Sequence, residues 1–177
     1  MSIMHEKTNT LWGNIFKSRQ KEGNAVSDVL KKIPMFGNLK NRELLQIERI
    51  LHRREYHANE AVFFEGDPGL GMYIIEDGIV DIVSGSVRQP LADLQHGEFF
   101  GELSLLDDAP RTASAIARTP CKLLCFFQPD LFDLLERNPR LGVKILLNLA
   151  SVIGERLKKA NETMQELKRN MKGQDSH

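Results

Sequence analysis

From about Arg53 to Phe127 the chain alternates short runs of β-branched and aromatic residues with turn residues, the cadence of short strands joined by tight connections. The runs are Ala61-Val62-Phe63-Phe64, Met72-Tyr73-Ile74-Ile75, Ile79-Val80-Asp81-Ile82-Val83, Leu91 to Leu94, Ala113 to Ala117 and Lys122 to Phe127. Between them stand Gly66-Asp67-Pro68-Gly69, Asp77-Gly78 and Ser84-Gly85-Ser86. This pattern predicts a compact antiparallel barrel or jelly roll. On both flanks the period becomes helical, so the fold class is mainly β with flanking α.

Ahead of the strands, short helices are predicted near Val26 to Lys32 and near Asn41 to Leu51, separated by the breakers Pro34 and Gly37. The second carries Leu44, Leu45, Ile47 and Leu51 mostly on one side. After Pro129, Leu131, Leu134 and Leu135 mark a short helix that ends at Asn138-Pro139, and a long helix runs from about Leu141 to about Met171. Its apolar positions Leu146, Leu149, Ile153, Leu157, Ala160, Met164, Leu167 and Met171 recur every three or four residues, with one stutter between Ile153 and Leu157. Up to Ile153 the apolar arc, with Ile145, Leu147 and Val152, is too broad for a narrow seam and predicts packing on the chain's own barrel. Beyond Arg156 only the seam remains, which predicts a homodimer through this C-terminal helix.

Residues 1–24 carry one amphipathic cluster, Leu11, Trp12, Ile15 and Phe16, followed by Lys17, Arg19 and Lys21. Folding back on the domain or a sister chain, docking on a partner, and contact with a membrane surface all stay open for it. The expected organisation is an extension over 1–24, one domain with its hinge and long helix over 25–171, and a tail over 172–177.

Composition narrows the function classes. With 24 Lys plus Arg against 24 Asp plus Glu in 177 residues, there is no net charge to draw the chain to nucleic acid or anionic membranes. Cys121 and Cys125 fall four apart on one predicted strand, roughly 13 Å from each other and beyond disulfide reach. No stretch approaches the ~18 apolar residues of a membrane span, and none near the start resembles a secretory signal. A reducing, cytoplasmic setting is expected.

The charge is unevenly spread. Between Glu60 and Pro110 there are eleven acidic residues and one basic, Arg88, which makes Arg111 conspicuous. It lies in the most informative segment, Phe99-Phe100-Gly101-Glu102-Leu103-Ser104-Leu105-Leu106-Asp107-Asp108-Ala109-Pro110-Arg111-Thr112-Ala113-Ser114-Ala115. Gly101 allows backbone to approach a ligand, the residues after it suit one helical turn with free N–H groups, and Arg111 can fork onto phosphate oxygens. Glu102 beside a phosphate is unfavourable unless another donor satisfies it, and a sugar hydroxyl would. Glycine-backed turn, carboxylate and arginine together describe a phosphate and a ribose recognised at once.

The stretch Phe100 to Ala115 resembles the phosphate-binding cassette of the cyclic-nucleotide-binding domain family, with Phe-Gly-Glu-Leu, a short spacer, then Pro-Arg-Thr-Ala. Glu65-Gly66-Asp67-Pro68-Gly69, Met72-Tyr73-Ile74-Ile75 and Gly78-Ile79-Val80 match the family's early barrel strands, and the likeness runs from about Ile33 to Leu157. The resemblance implies a β-roll flanked by helices that binds cyclic AMP or cyclic GMP as ligand, with no further cofactor and no metal. It puts Glu102 on the ribose 2′-hydroxyl and Arg111 on the cyclic phosphate, with backbone at Gly101, Leu103, Ser104, Thr112 and Ala113 lining phosphate and sugar. Thr112 leaves the base undecided. The C-terminal helix is expected to cap the purine near Ile153 to Leu157, pivoting at Asn138-Pro139. Family members that bind DNA or transfer phosphate add further domains, whereas about six residues follow Met171. The expectation is therefore a stand-alone sensor or regulatory subunit that signals through its helices to a protein effector not identifiable from sequence, without DNA binding.

Two other classes compete. A degenerate roll serving only as an interaction module would have no use for Glu102 and Arg111. An enzyme on a cupin-like barrel would need clustered metal ligands, yet His5, His52, His57, His96 and His177 are scattered, and Asp107-Asp108 reads as a solvated spacer.

Overall fold

A strand buried on one face alternates apolar and polar residues, whereas one buried on both faces reads as an unbroken apolar run. The computed structural model, which describes residues 26–174 apart from Ser86, contains both kinds. Residues 26–32 form α1, Asn41–Glu48 form α2, and the strands follow as β1 (His52–Tyr56), β2 (Ala61–Phe63), β3 (Gly71–Asp77), β4 (Ile79–Ser84), β5 (Gln89–Gln95), β6 (Phe99–Phe100), β7 (Ser114–Ala117) and β8 (Cys121–Phe127). A 3-10 turn at Glu102–Leu105 lies between β6 and β7, and α3 (Gln128–Arg137) and α4 (Pro139–Gln174) close the chain. The strands pair antiparallel into two four-stranded sheets ordered β1-β8-β3-β6 and β2-β7-β4-β5, an antiparallel β-roll with helices on its flank. The predicted N-terminal amphipathic cluster lies outside the described residues.

The centre of the first sheet divides two cores. β3 and β8 pair Met72 with Phe126, Tyr73 with Cys125, Ile74 with Leu124 and Ile75 with Leu123. Met72, Ile74, Leu124 and Phe126 face a helical core with Leu30, Ile33, Phe36, Leu44, Ile47, Leu131, Ile145 and Leu149. Tyr73, Ile75, Leu123 and Cys125 face the roll interior with Val80, Phe100, Ala115 and Ala117. Alternation thus assigns neighbouring residues of one strand to opposite layers. Both cysteines are buried and free, and burial pushes the Cys125 thiol up to about 12.

Two strands were not legible in the hydrophobic pattern. β1, His-Arg-Arg-Glu-Tyr, is exposed along almost its whole length and is a strand because it hydrogen-bonds to the edge of β8, from His52 opposite Cys125 to Tyr56 opposite Cys121. Charge on an edge strand also discourages pairing with other chains. β6 has two residues, too few to show any period. At the end of β2, Phe64 turns outward and its N–H donates to Asp67 Oδ2 at 2.7 Å, so the strand stops one residue before the predicted run does.

Helix placement follows the apolar faces, with corrections. Leu44 and Ile47 are fully buried, but Leu45 is 48% exposed, because it stands about 100° round the helix from Leu44 and the buried face is narrower than the expected one. α4 begins at Pro139, a residue suited to the first helical turn. Its first half lies on the domain: Ile145, Leu149 and Val152 are buried, Lys144 Nζ meets Glu43 Oε2 at 3.0 Å, and Asn148 Nδ2 donates to the Met35 carbonyl at 2.8 Å. Leu147, expected on that packed arc, is 64% exposed. Further on, Leu157, Met164, Leu167 and Met171 are all more than half exposed in the single chain. At the α3–α4 junction Asn138 leaves helical geometry, with φ −140° and ψ 74°, and its side chain donates to Gln46 and accepts from the Leu141 N–H.

The contrast between adjacent leucines is testable. Leu44→Ala is expected to cost about 2–5 kcal/mol in urea denaturation and Leu45→Ala less than about 0.5 kcal/mol, whereas equal losses would contradict the orientation of α2.

Candidate functional site

The site grows from one backbone conformation. β6 ends at Gly101, whose φ of 74° and ψ of 18° lie in the left-handed region that glycine enters without strain. A Cβ there would stand 2.6 Å from Arg111 Nη1, so the position excludes a side chain for space as well. Reversing at Gly101, the chain enters the 3-10 turn Glu102–Leu105, which buries Glu102, Ser104 and Leu105 and leaves Leu103 outside. Ser104 N–H bonds back to the Gly101 carbonyl at 3.3 Å. The N–H groups of Glu102 and Leu103, at the start of the turn, are those that lack an intrahelical acceptor. Residues 106–110 form an exposed spacer, including Asp107 and Asp108 as expected, before the chain returns at Arg111.

Arg111 is clamped through both backbone and side chain. Its N–H donates to the Asp67 carbonyl at 2.8 Å, its carbonyl accepts from the Gly66 N–H at 2.9 Å, and Pro68 and Pro110 form an isolated bridge beside them. The Glu65–Gly69 block is thus the brace of the cassette rather than an independent landmark. Arg111 is 6% exposed, its guanidinium donating through Nη1 to the Gly101 carbonyl at 3.2 Å and to Ser104 Oγ at 2.8 Å, and through Nη2 to the Gly71 carbonyl at 2.7 Å. It lies over the Phe63 ring at 4.1 Å, and Phe63, Tyr73 and Phe100 pack on one another with centroids 5.4 to 5.9 Å apart.

No carboxylate of the described residues forms an ion pair with this cation, and its Nε is enclosed without a hydrogen-bond partner. Burial accordingly draws its pKa below the ordinary guanidinium value, opposed by Tyr73, Asp67 and Glu102. A buried ion without a counter-ion is costly, and carbonyl dipoles and an aromatic face compensate only part of the lost hydration. Three of the five guanidinium N–H donors are engaged, leaving Nε–H and one on Nη2, donors suited to an oxyanion.

Glu102, 5% exposed, is satisfied from an unexpected direction. Arg156 of α4 donates through Nη1 to Glu102 Oε1 at 2.6 Å and through Nη2 to the Phe99 carbonyl at 3.3 Å, and lies over the Phe99 ring at 4.6 Å. Arg156 was not among the residues picked out from sequence, where it marked only the start of the narrow seam. No local signal could have found it, since the contact spans 54 positions and depends on how α4 crosses β6.

All seven sequence-predicted residues, Gly101, Glu102, Leu103, Ser104, Arg111, Thr112 and Ala113, line one cleft of about 480 Å³. Phe63, Ile82, Ala92, Leu94, Phe99 and Phe100 give it an apolar wall, and Arg156 is its contribution from α4. Among the described residues no group of three His, Cys, Asp or Glu side chains could hold a metal ion. No helix there is long and apolar enough to cross a membrane.

Comparison with known proteins gives the same region a context. The family model described as "Cyclic nucleotide-binding domain" matches residues 53–138. The chain is 38% identical over 94 residues to a cAMP-dependent protein kinase regulatory subunit of Aspergillus niger, covering 53% of this chain and 23% of that protein. It is 34% identical over 135 residues to the cyclic AMP receptor protein of Thermus thermophilus, covering 75% of this chain and 61% of that one. The chain therefore spans less than two thirds of these relatives. Among solved structures, the N-terminal domain of a transcriptional regulator from Streptomyces coelicolor A3(2) superposes with a TM-score of 0.66 at 30% identity, covering 77% of this chain and 94% of that one.

The glycine requirement separates into a dihedral and a crowding part. Gly85, with φ 71° and nothing within 4 Å of an added Cβ, carries only the first. Gly85→Ala is expected to cost about 1 kcal/mol and Gly101→Ala about 1 kcal/mol more in urea denaturation, and equal costs would refute crowding against Arg111.

Proposed function

Because the chain belongs to the cyclic nucleotide-binding domain family, we propose that its cleft binds a purine 3′,5′-cyclic monophosphate and that α4 relays occupancy to a partner protein. The observation that carries this reading is Arg111, buried and, among the described residues, without a carboxylate ion-pair partner and with two guanidinium donors left over. The cyclic phosphate supplies the missing anion there, joined by backbone at Gly101, Leu103, Ser104, Thr112 and Ala113. Glu102 accepts the ribose 2′-hydroxyl. The purine lies along the apolar wall of Ile82, Ala92 and Leu94, and α4 covers it near Arg156. Two of the similar proteins are named for cyclic AMP, which makes cyclic AMP the first ligand to test and cyclic GMP the second. The role is recognition without turnover.

Occupancy acts on α4 only if the nucleotide binds one pose of the helix better than another. The pivot is the Asn138–Pro139 junction, where helical geometry is interrupted. The second half of α4 carries Leu157, Met164, Leu167 and Met171, all exposed, on the seam read from sequence, and a second copy of the same seam is the proposed cover. The protein that receives the signal is a separate partner.

By calorimetry, cyclic AMP or cyclic GMP is expected to bind, and Arg111→Leu to weaken binding at least ~thirtyfold, about 2 kcal/mol. Thermal melting with either nucleotide at a hundredfold its dissociation constant should stabilise the fold by about 2.7 kcal/mol, and unchanged melts would favour the interaction-module alternative. For self-association, sedimentation of the full chain is expected to give a dimer that Met164→Glu with Leu167→Glu converts to monomer; a monomeric wild type at micromolar concentration would refute the seam.

A further inference from the structure

One motif of the sequence, the apolar cluster Leu11, Trp12, Ile15 and Phe16 followed by Lys17, Arg19 and Lys21, has no part in the nucleotide reading and lies outside the described residues. The described chain carries a surface matched to it. Between α4 and the turn after α1 runs a groove of about 370 Å³, lined by Pro34, Phe99, Ser151, Val152 and Glu155 and meeting the cassette cleft at Phe99 and Arg156. We propose that this groove is the docking site of the chain's own N-terminal segment, with Trp12 and its apolar neighbours seated over Phe99 and Val152. The docking stands apart from the nucleotide reading, and its test needs no nucleotide.

The groove is apolar where the segment is apolar. Phe99 and Val152 are each 9% exposed, and the exposed Pro34 ring stands opposite α4. Leu147, 64% exposed although its place in the helical period predicts packing, stands one turn before Ser151 on the same face of α4 and lengthens the apolar surface. An apolar strip bordered by polar side chains marks a contact site, and four apolar residues at helical spacing are the complementary shape for a groove of this kind.

Reach and charge select the chain's own segment over a free partner. Val26 is buried in the helical core, so the segment departs from a fixed point. From there α1 runs only about 10 Å, at 1.5 Å per residue, before the turn that holds Pro34. Nine residues, Lys17 to Ala25, separate Phe16 from Val26 and span up to ~30 Å when extended, enough to double back along α1 to the groove. A tether this short keeps the cluster at a local concentration on the order of millimolar, far above that of a free partner. Arg156 is already paired with Glu102, whereas Glu155 forms no ion pair among the described residues, and Lys17, Arg19 and Lys21 lie within five positions of Phe16.

The chain has one tryptophan, so Trp12 fluorescence reports the segment directly in the full chain. Docking is expected to give emission blue-shifted from that of a peptide of residues 1–24, with weaker quenching by acrylamide, at every protein concentration. Ser151→Arg combined with Glu155→Lys fills the groove and reverses its charge. Both positions are exposed and both replacements are good helix formers, so the variant folds, which circular dichroism checks. Its emission and quenching are expected to return to the values of the peptide. A wild-type spectrum equal to that of the peptide would overturn the docking. So would a blue shift that the double substitution leaves in place, which puts the segment elsewhere on the domain. A blue shift that grows with protein concentration assigns the segment to a second copy, and one that needs added phosphatidylserine vesicles assigns it to a membrane surface; either result overturns the proposal.

Discussion

A buried positive charge without a carboxylate ion-pair partner among the described residues governs how this molecule is built. The Arg111 guanidinium is held by the Gly71 and Gly101 carbonyls, the Ser104 hydroxyl and the Phe63 ring, groups from β2, β3 and the cassette turn. Each contact sets a condition elsewhere. Gly101 must lack a Cβ, the Glu65–Gly69 loop must bond to the Arg111 backbone, and the aromatic cluster must close beneath it. Carbonyl dipoles and an aromatic face replace part of the water this charge has lost, yet they do not neutralise it.

The second organising element is the β3–β8 pair. Its residues alternate between a helical core and the roll interior, so one sheet is packed directly against both the roll wall and the layer on which α3 and α4 rest. Phe36 and Phe126, with ring centroids 6.1 Å apart, form part of the contact between that sheet and the N-terminal helical segment. The cleft lined by the cassette lies on the roll side and most of the long helix on the other, with Arg156 reaching round to join them.

Much of this was legible in the residues and some was not, for physical reasons. Gly101, Glu102 and Arg111 could be read because each residue type is suited to something few others can do: glycine to positive φ, glutamate to accepting from a sugar hydroxyl, arginine to forking onto a phosphate. The strands with buried faces announced themselves by β-branched runs, and β3 by a run without polar interruption. β1 did not, because an edge strand held by its neighbour's backbone needs no hydrophobic face. Leu45 misled because it sits beside the true buried stripe, where one residue's rotation turns a side chain to solvent. Arg156 and the aromatic floor of Phe63, Tyr73 and Phe100 were invisible because their chemistry is ordinary and only tertiary contact gives them a role.

The length of α4 carries a consequence of its own. Its 36 residues make a rod of about 54 Å, with the Asn138–Pro139 junction at one end, Arg156 near the middle and Met171 close to the far tip. Arg156 stands ~26 Å from the fulcrum and Met171 ~48 Å, at 1.5 Å of rise per residue. In the proposed relay a rod pivoting at that junction roughly doubles displacement, so a shift of ~1 Å at the cleft becomes ~2 Å at the tip. In that relay the helix acts as a lever between the Arg156–Glu102 contact and the exposed seam near its tip.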